Sequence, residues 1–312
     1  MKMIYDNCGR PLTSMRISIT SRCNLNCIYC HHEGITRNTG IEMTPEEIGE
    51  IVSISTEFGV RKVKITGGEP LLRKDIVSIV KKISDIRGVE DVSLTTNAMF
   101  LEKLAKELKI AGLDRINISI DTLKSKVFSE ITQGGDLSMV QRGIEKAIEV
   151  GLKPVKLNMV IMKGINNREI HHMLKKYSRD NVVVQLIELV DSNELFFEKY
   201  YYSLDEIEDN FERLAKEIVV RKLMHGRHKY ILNGTEVEVI KPMHNTDFCA
   251  HCTRIRVTAD GKFKPCLMRD DNLVNFLDEM RLGADENRLK ELFKKAIGER
   301  EPFFKQTLVG SN

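Results

Sequence analysis

CNLNCIYC, residues 23–30, places three cysteines in eight residues with the spacing C-x3-C-x2-C. Thiolates hold iron–sulfur clusters, and a cluster of four irons normally takes four of them. Three neighbouring thiolates therefore leave one iron free to bind another molecule. A zinc site and three unrelated buried cysteines are the alternatives, but zinc sites favour paired C-x2-C spacing with a distant partner. The spacing of Cys23, Cys27 and Cys30 predicts an iron–sulfur site with one open iron.

The composition around this stretch is typical of a soluble globular protein. The chain has 312 residues, of which 42% are hydrophobic and 30% charged, enough for one large domain or for one large and one small domain. Its net charge of +3 does not indicate nucleic-acid binding. It has no apolar run of the ~18 residues that a membrane span needs, and its start lacks the apolar core of a secretory signal. We therefore expect a cytoplasmic protein.

The number and spacing of the cysteines also favour a cytoplasmic location. Six of the seven cysteines fall in two tight groups, and Cys8 is left over. An odd number in tight groups suits metal ligation in a reducing compartment better than disulfide bonds. Cys8 is interpreted as a reduced thiol, and the His31-His32 and His171-His172 pairs as surface residues.

Residues 14–190 alternate between short strand-like runs and amphipathic helical runs. The first strand leads directly into the cysteine stretch. A helix with a capping box follows Thr44, where Pro45 and Glu47 favour the first turn. Six such units predict an α/β fold with parallel strands, because each helical crossover returns the chain to the same end of the sheet. The predicted strands are residues 15–20, 62–66, 92–95, 116–120, 155–160 and 182–190.

Five of these strands alternate strictly between apolar and polar residues. Strands of a closed barrel are usually apolar throughout, because branched side chains fill the lumen. Here the apolar parity must face the helices, and the polar parity carries too much charge for a dry interior. An antiparallel sheet with one wet face is the alternative, which the intervening helices oppose. We predict a cavity for a large anionic ligand. Its wall carries Arg16, Ser18, Thr20, Lys62, Lys64, Thr66, Ser93, Thr95, Asn97, Asn117, Ser119, Asp121, Lys156 and Asn158.

A second cysteine group follows, in the part of the chain where the strand–helix alternation stops. It has the spacing C-x2-C-x13-C and consists of Cys249, Cys252 and Cys266. Asp260-Gly261 predicts a two-residue hairpin turn, which pairs Ile255 with Cys266 and brings the three thiolates near each other. A zinc site would take His251 as its fourth ligand. A second cluster with an open iron is the sharper hypothesis.

Two arginines lie on the first strand of this hairpin. Arg254 and Arg256 share one parity, and guanidinium forks suit phosphates and planar acceptors. A capped helix at residues 203–218 and a hairpin with an Asn233-Gly234 turn precede them. We expect residues 191–312 to form an α+β cap on a barrel of residues 1–190, with both arginines facing the barrel mouth.

These motifs in combination resemble one known family. The cysteine stretch with Tyr29 before its last cysteine is typical of the radical S-adenosylmethionine (SAM) superfamily, and GGEP at residues 67–70 resembles the loop that binds SAM there. With DNCGRPL at residues 6–12 and CTRIR at residues 252–256, the pattern is similar to the GTP 3′,8-cyclase family, the molybdenum cofactor biosynthesis protein A family. The resemblance covers residues 6–270.

The resemblance implies an incomplete (βα)6 barrel of the TIM type, open to SAM and a substrate. It implies a lyase that converts GTP to (8S)-3′,8-cyclo-7,8-dihydroguanosine 5′-triphosphate, the first step of molybdenum cofactor biosynthesis. The adenosyl radical made from SAM takes the ribose 3′ hydrogen, and the carbon radical then attacks guanine C8. The expected cofactors are two [4Fe-4S] clusters and SAM. The expected partners are a flavodoxin-like or ferredoxin-like electron donor and cyclic pyranopterin monophosphate synthase. A homodimer is one possible assembly, and no membrane or nucleic acid is expected.

The resemblance also assigns roles to residues. The cluster that binds SAM is held by Cys23, Cys27 and Cys30. The second cluster, whose open iron contacts guanine, is held by Cys249, Cys252 and Cys266. The SAM contacts are Tyr29, Gly68 and Ser119. The GTP contacts are Arg16, Lys64, Thr95, Lys156, Arg254 and Arg256. Arg254 and Arg256 count with the first three cysteines as catalytic residues.

The chain departs from the family pattern in three places. Gln185 stands where bacterial members often carry arginine, and Val190 where they carry a SAM-contacting methionine. Residues 308–312 lack the C-terminal Gly-Gly tail of the family, so no catalytic role is assigned to them. Two rival functions are a radical SAM peptide modifier with an auxiliary cluster and a non-catalytic iron–sulfur electron carrier. Neither rival needs a lumen lined by four lysines and arginines.

Overall fold

The computed structural model describes residues 3–35, 39–221 and 225–304. The strands are β1 (Ser14–Ser18), β2 (Lys62–Thr66), β3 (Asp91–Thr96), β4 (Arg115–Ser119), β5 (Val155–Ile161), β6 (Val182–Glu188), β7 (Glu217–Arg221), β8 (Arg227–Leu232), β9 (Thr235–Ile240), β10 (Arg254–Val257), β11 (Lys262–Lys264) and β12 (Val274–Asn275). The helices are α1 (Pro45–Glu57), α2 (Ile76–Ser84), α3 (Leu101–Ile110), α4 (Ser125–Thr132), α5 (Leu137–Glu149), α6 (Ile170–Lys176), α7 (Glu194–Tyr200), α8 (Asp205–Leu214), α9 (Thr246–Ala250), α10 (Leu277–Arg281) and α11 (Glu286–Gly298). Short 3₁₀ turns lie at His32–Gly34, Pro70–Leu72 and Asn167–Glu169. The tail residues 308–312 lie outside the described residues.

Six parallel strands form the centre of the sheet. β1 to β6 pair in sequence order, each parallel to the next, and helices make the crossovers. The predicted strand–helix units are therefore confirmed, except that the first and sixth strands each end two residues early, at Ser18 and Glu188. Parallel strands in sequence order with helical crossovers are the arrangement of a (βα) barrel. The α/β class and the incomplete six-unit barrel are as predicted.

Side chains of alternate parity separate the core from the barrel interior. The apolar parity is fully buried in the main hydrophobic core, where it includes Ile17, Ile65, Leu94, Ile118 and Leu157. Helix residues such as Ile51 and Ile144 belong to the same core. Burying this parity leaves the polar parity on the opposite face of each strand, because successive side chains of a strand point to opposite sides.

The C-terminal strands extend the sheet at both edges. β9 pairs in parallel with β6, and β10 pairs in parallel with β1. Antiparallel strands then continue outward, β8 and β7 beyond β9, and β11 and β12 beyond β10. Strand pairing therefore crosses the expected domain boundary at residue 190 on two sides. The C-terminal half flanks the barrel as part of one sheet.

The hairpin between β10 and β11 has a different register from the expected one. Arg256 pairs with Lys264, so the connecting loop has three residues. Gly261 takes a left-handed backbone there (φ 72°), which is the glycine position that three-residue hairpin loops favour. The predicted pairing of Ile255 with Cys266 is therefore wrong by one residue. The other predicted hairpin is confirmed, since β8 and β9 meet at the Asn233-Gly234 turn.

The helix starts show where local signals succeed and fail. At α1 the predicted capping box is present: Glu47 N–H donates to the Thr44 hydroxyl (3.2 Å), and Thr44 N–H donates to the Glu47 carboxylate (2.8 Å). The helix predicted at residues 203–218 is shorter, because its end is drawn into β7 to pair with β8. Its N-cap is Leu204, whose side chain makes no capping bond. Helices of the length and hydropathy that span a membrane are absent from the described ranges.

Candidate active site

A cavity of about 680 Å³ lies inside the barrel and receives side chains from both halves of the chain. Both cysteine groups line it. Every residue that the sequence predicts as a ligand or contact is in its wall. These residues are Arg16, Cys23, Cys27, Tyr29, Cys30, Lys64, Gly68, Thr95, Ser119, Lys156, Cys249, Cys252, Arg254, Arg256 and Cys266. The fold therefore gathers residues from distant parts of the sequence around one space.

The first cysteine loop, residues 23–30, follows β1 and is held by the end of α4. Asn26 N–H donates to the Thr132 carbonyl oxygen (3.2 Å), and Ile28 N–H donates to the Ile131 carbonyl oxygen (2.9 Å). These bonds fix the loop backbone without using any cysteine side chain. The three thiols are free and at least partly exposed, so they are available as metal ligands.

Carboxylates surround the first cysteine loop. Burial, with the nearby Asp121 carboxylate, raises the pKa of the Cys27 thiol to about 12. Burial raises the pKa of the other two thiols as well, with Glu69 and Glu33 acting in the same direction. A thiolate in these surroundings needs a cation, and a metal ion deprotonates the cysteines that bind it. The donor set and its surroundings therefore fit a cationic metal centre.

The Gly-Gly-Glu-Pro loop packs against the chain that leads into the first cysteine loop. A Cβ atom at Gly68 would lie 2.2 Å from the Arg22 carbonyl oxygen, so glycine is required. The sequence predicts close approach of a ligand here, and the structure shows close approach of backbone to backbone. Glu69 is buried, and its carboxylate accepts from the Thr96 hydroxyl (2.7 Å) and the Asn97 N–H (2.7 Å). Burial raises the pKa of Glu69 to about 7, although these hydrogen bonds oppose the shift.

Tyr29 ties the first cysteine loop to the barrel wall. Its hydroxyl donates to Asp121 Oδ2 (2.7 Å), and Asp121 Oδ1 accepts from the Val160 N–H (2.8 Å). Burial raises the pKa of Asp121 to about 6, against the effect of both hydrogen bonds. The tyrosine ring is thereby fixed in the cavity wall.

The two lysines of the barrel wall have different partners. Lys156 lies 2.5 Å from Glu238 Oε1, and Arg221 also donates to that oxygen (2.7 Å). Lys64 donates to the Asn117 amide oxygen (3.1 Å), and no carboxylate of the described chain pairs with it. Burial lowers the pKa of both lysines, that of Lys156 to about 8. Lys64 therefore lacks the carboxylate partner that Lys156 has.

Gln185 connects the two lysines through hydrogen bonds. Its Nε2 donates to the Glu238 carboxylate, and its Oε1 accepts from Asn117 Nδ2 (3.1 Å). A continuous path therefore runs from Lys156 through Glu238, Gln185 and Asn117 to Lys64. Bacterial members of the family that the chain resembles often carry arginine at this position. In this chain the uncharged Gln185 instead links the Lys156–Glu238 pair to Asn117 and Lys64.

Glu33 is a half-buried carboxylate of the cavity wall that no sequence motif indicated. It accepts from Arg16 (3.3 Å), Arg256 (2.9 Å) and the Thr66 hydroxyl (2.9 Å). Burial opposes its charge, but the two guanidiniums prevail and lower its pKa to about 2. Its backbone is left-handed (φ 54°), as is that of His32 (φ 48°). Such strain persists where surrounding contacts hold it.

Guanidiniums concentrate around the second cysteine group. We call Arg16, Arg227, Arg254 and Arg256 the guanidinium group; all of them line the cavity. Burial lowers the pKa of Arg254, and the other members lower it further. The Arg254 side chain has no hydrogen-bond or ion-pair partner in the part of the chain that the structure describes. The carboxylate of Glu33 neutralises one charge of the group, so positive charge remains in excess.

Arg227 is a member of this group that sequence reasoning missed. It begins β8, donates toward His225 Nδ1 (3.3 Å) and lies 5.5 Å from the centre of the Phe248 ring. Burial lowers its pKa to about 10, although Glu238 opposes the shift. An arginine at the start of a hairpin strand gives no local signal of a site, because only the tertiary fold brings it to the cavity.

The second cysteine group consists of Cys249 in α9, Cys252 just before β10 and Cys266 just after β11. Burial raises the pKa of Cys266. Burial acts on Cys252 in the same direction, but the guanidiniums of Arg254, Arg300 and Arg10 prevail and lower its pKa. The second group thus has cationic neighbours where the first has carboxylates.

Neither cysteine group converges on one point. Across residues 3–35, 39–221 and 225–304, no three His, Cys, Asp or Glu side chains are placed to hold a single metal ion. A four-iron cluster binds each cysteine at a separate iron, so its ligands need not converge. His251, the fourth ligand of the zinc alternative, is exposed, and its Nδ1 lies 3.0 Å from the Asp247 carbonyl oxygen. Three free thiols facing one cavity fit a cluster.

Some of the sequence interpretations of the wall are wrong. Lys62 begins β2 and is exposed, because it lies at the strand end outside the cavity. His31 is not a surface residue: it lines the cavity, and burial lowers its pKa. Of the fourteen residues that the parity predicts in the wall, eleven line the cavity, and Lys62, Ser93 and Asp121 do not.

Several buried polar atoms of the wall have no hydrogen-bond partner among the described residues. They are Arg16 Nε, His31 Nδ1, Thr95 Oγ1, Asn158 Oδ1 and Arg227 Nε. Buried polar groups are normally paired, because leaving one unpaired costs about 1–3 kcal/mol. These atoms and the excess positive charge fit a large, polar, anionic ligand.

Comparisons with known proteins agree with this site. The chain matches the model of the Radical SAM superfamily over residues 17–177 and that of Molybdenum Cofactor Synthesis C over residues 182–306. The "Probable GTP 3′,8-cyclase" of Methanococcus aeolicus is 47% identical over 96% of this chain and 98% of its own. The protein of the same name from Thermococcus kodakarensis is 48% identical over 97% of this chain and 100% of its own.

Solved structures share the fold at low sequence identity. "Native anSMEcpe with bound AdoMet" has a TM-score of 0.63 and 18% identity, covering 92% of this chain and 81% of that one. Streptococcus suis SuiB bound to S-adenosylmethionine has a TM-score of 0.62 and 19% identity, covering 88% and 66%. These likenesses support the radical SAM barrel. With two matched family models and close relatives over its length, the chain belongs to the GTP 3′,8-cyclase family of the radical SAM superfamily.

Proposed function

We propose that this protein converts GTP to (8S)-3′,8-cyclo-7,8-dihydroguanosine 5′-triphosphate, the first step of molybdenum cofactor biosynthesis. One observation carries the proposal: a single cavity is lined by two groups of free cysteines and by the guanidinium group. An electron carrier needs no such cavity, and a peptide substrate does not need such an excess of positive charge. The name of the relatives at 47% and 48% identity supports the same activity.

The first cysteine group is assigned to a [4Fe-4S] cluster whose open iron binds SAM. Cys23, Cys27 and Cys30 would hold this cluster, which would supply the electron for reductive cleavage of SAM and thereby the radical chemistry at the ribose 3′ hydrogen of GTP. The protein's own residues would fix the position of the cluster and of SAM. The loop backbone is docked on α4, and Asp121 fixes the Tyr29 ring. Gly68 and Ser119 in the same wall are the further SAM contacts.

The triphosphate of GTP is assigned to the cations of the wall. It carries about four negative charges, and each charge-assisted hydrogen bond to it is worth roughly 1.5–3 kcal/mol. Arg254 and Lys64 are the most available, because no described carboxylate pairs with them. Arg16 and Arg256 share Glu33, which orients both guanidiniums. Bidentate forks of this kind fix the substrate so that its ribose stays at the first cysteine loop.

The remaining predicted contacts complete the wall. Lys156 is held by Glu238 and contributes a cation that the buried path through Gln185 keeps in place. The Thr95 hydroxyl is buried without a protein partner among the described residues, so it is available to GTP. Val190 lines the same cavity, where an apolar side chain excludes water.

The second cysteine group is assigned to another [4Fe-4S] cluster. When bound, its open iron supplies a Lewis acid for the guanine base. Arg254 and Arg256 lie on β10, which begins two residues after Cys252. The proposed phosphate contacts therefore lie beside a cysteine of this group. The two arginines are the residues of the cap that we propose as catalytic.

The finer partners belong to the same proposal. They are a flavodoxin-like or ferredoxin-like electron donor, cyclic pyranopterin monophosphate synthase as the enzyme that takes the product, and a second copy of the chain. A cytoplasmic location and a division into residues 1–190 and 191–312 are proposed with them. Family membership supports these partners, and the two matched models support a division close to residue 180.

The test is anaerobic reconstitution with iron and sulfide, followed by SAM, a reductant and GTP deuterated at C3′. Loss of one hydrogen and gain of one electron and one proton make the product an isomer of GTP. Chromatography with mass spectrometry should therefore find this isomer together with 5′-deoxyadenosine that carries the deuterium. Deuterium-free 5′-deoxyadenosine, or no isomer from a protein with intact clusters, would reject GTP as the substrate.

A further inference from the structure

The segment DNCGR, residues 6–10, belongs to the family pattern but to none of the roles above. It forms a closed loop in which Asp6 N–H donates to the Arg10 carbonyl oxygen (3.1 Å) and Gly9 takes a left-handed backbone (φ 74°). The Asp6 carboxylate accepts from Arg10 N–H (2.9 Å) and Arg10 Nε (2.8 Å). Asp6 and Arg10 are both buried. The loop therefore presents one guanidinium in a fixed orientation.

Two arginines from opposite ends of the chain donate to the backbone of residues 249–252, which we call the second cysteine loop. Arg10 Nη1 donates to the Cys249 carbonyl oxygen (2.9 Å). Arg300, which follows α11, donates from Nη2 to the Cys252 carbonyl oxygen (2.6 Å). Arg300 Nη1 lies 3.4 Å from Asp6 Oδ2, so one carboxylate joins both guanidiniums. We call Asp6, Arg10 and Arg300 the arginine clamp.

The arginine clamp leaves buried positive charge beside the second cysteine group. Two guanidiniums share one carboxylate, and the Arg300 side chain is fully buried. Arg300 Nε has no hydrogen-bond partner among the residues described. A buried charge is unfavourable unless an opposite charge compensates it. The described protein atoms supply one such charge for two cations, so the clamp suits an additional anionic group at the cysteines.

We infer that the arginine clamp positions the second cluster and raises its reduction potential. The inference rests on the proposed function, which places a cluster at Cys249, Cys252 and Cys266. Thiolate-bound clusters gain negative charge on reduction, and nearby charges and hydrogen bonds tune their potentials. The two carbonyl contacts hold the loop that carries Cys249 and Cys252, and the surplus positive charge favours the reduced cluster. Arg10 and Arg300 are positioning residues, since they act through the backbone carbonyl oxygens of Cys249 and Cys252.

The test uses Arg300→Gln, Arg10→Gln and Arg300→Lys in the full-length reconstituted protein without GTP. Glutamine keeps an amide donor but removes the charge, whereas lysine keeps the charge. Iron per chain and an EPR-monitored redox titration are the readouts. The glutamine variants should fall from about eight irons toward four, or keep the cluster at a more negative potential. Arg300→Lys should stay closer to the wild type in potential, and the first cluster should be unchanged in all three.

Arg73→Gln is the matched control. Arg73 is also buried and donates to two backbone carbonyl oxygens, those of Ile19 (2.9 Å) and Met43 (2.7 Å), neither of which belongs to the second cysteine group. It should lower the melting temperature and leave the second cluster's iron and potential unchanged. Equal loss of that cluster in Arg73→Gln, or about eight irons with unchanged potential in both clamp glutamine variants, would overturn the inference. A wild-type protein with about four irons would instead contradict the second cluster of the proposed function.

Discussion

The two cysteine groups line one cavity in opposite electrostatic surroundings. The first group lies among carboxylates, those of Glu33, Glu69 and Asp121. The second lies among guanidiniums, those of Arg10, Arg254 and Arg300. The cysteines of the first group all have raised pKa values, whereas the pKa of Cys252 in the second is lowered. The cysteine spacing indicates a metal centre in both groups. The charged side chains around each group then tune the properties of that centre.

The difference has a chemical consequence for each side of the cavity. Negative neighbours oppose the addition of an electron, so a cluster at the first loop becomes a stronger reductant once it is reduced. Cleavage of SAM needs a strong reductant. Positive neighbours favour the reduced cluster and also attract an anionic substrate to the second loop. The cavity therefore separates an electron-donating end from an anion-binding end.

Removing one thiol of the first group should have the largest effect, and it tests whether this group alone supports cleavage of SAM. Cys27→Ser should abolish formation of 5′-deoxyadenosine, because the open iron that binds SAM is lost with its cluster. The second group should keep its iron, about four atoms per chain. Quantified 5′-deoxyadenosine and iron content are the measurements. Cys8→Ser, at an exposed and solitary thiol, is the control and should behave as the wild type. Undiminished cleavage in Cys27→Ser would refute the assignment.

Removing charge at the second end should weaken GTP binding and spare SAM. Arg254→Ala with Arg256→Ala should lower GTP affinity by about 3–6 kcal/mol if the two contacts act independently. The single Arg254 variant should lose more than the Arg256 variant, because Glu33 already shares the charge of Arg256. Calorimetry gives the affinities, with iron content and SAM binding as controls. Unchanged GTP affinity with intact clusters would favour the peptide-substrate alternative.

Glu33 lies between the two ends, and its replacement sharpens the comparison. Glu33→Gln removes a negative charge beside Arg16 and Arg256, so GTP should bind at least as tightly as in the wild type. The guanidiniums lose the carboxylate that orients them, so turnover should fall by about tenfold. The measurement is the split between GTP dissociation constant and product formation rate. A loss of affinity with unchanged turnover would show that Glu33 has no orienting role.

The smallest expected effect is a pH dependence at Lys156. Burial lowers its pKa to about 8 despite the Glu238 partner, so the lysine loses its charge as the pH rises through this value. If only the charged form binds phosphate, GTP affinity should be about fourfold weaker at pH 8.5 than at pH 7. Lys156→Arg keeps its charge over this range and should show a flat profile. A flat profile in the wild type would show that GTP binding does not depend on a Lys156 charge that titrates in this range.

Much of this site was predictable, because spacing and parity are local properties. The C-x3-C-x2-C stretch and alternating residues such as Arg16, Lys64 and Lys156 are read directly along the chain. The same parity failed at Lys62, Ser93 and Asp121, because alternation places a residue on one face of a strand but does not show how far the cavity extends along it. The predicted strand pairing of the hairpin at Gly261 was wrong by one residue, because two-residue and three-residue turns share the same Asp-Gly signal.

The residues that were missed depend on contacts between distant segments. Glu33 faces the cavity through a left-handed backbone that ordinary residues rarely adopt. Arg227 reaches the cavity because β9, its hairpin partner strand, pairs with β6. Arg300 meets Cys252 only after α11 is packed. Charge alone marks none of these residues, since most lysines, arginines and glutamates lie on protein surfaces.

The pairing of C-terminal strands with both barrel edges also governs how the chain is made. While the ribosome has produced only residues 1–190, the outer edges of β1 and β6 have no partner strands. Ser14 pairs with Arg254 in the finished sheet, a contact that must wait for most of the sequence to be synthesised. Pairing over such separations is slow, and open edges are sites of aggregation. The edges of a nascent barrel of this protein therefore stay open to aggregation until its C-terminal strands have been made.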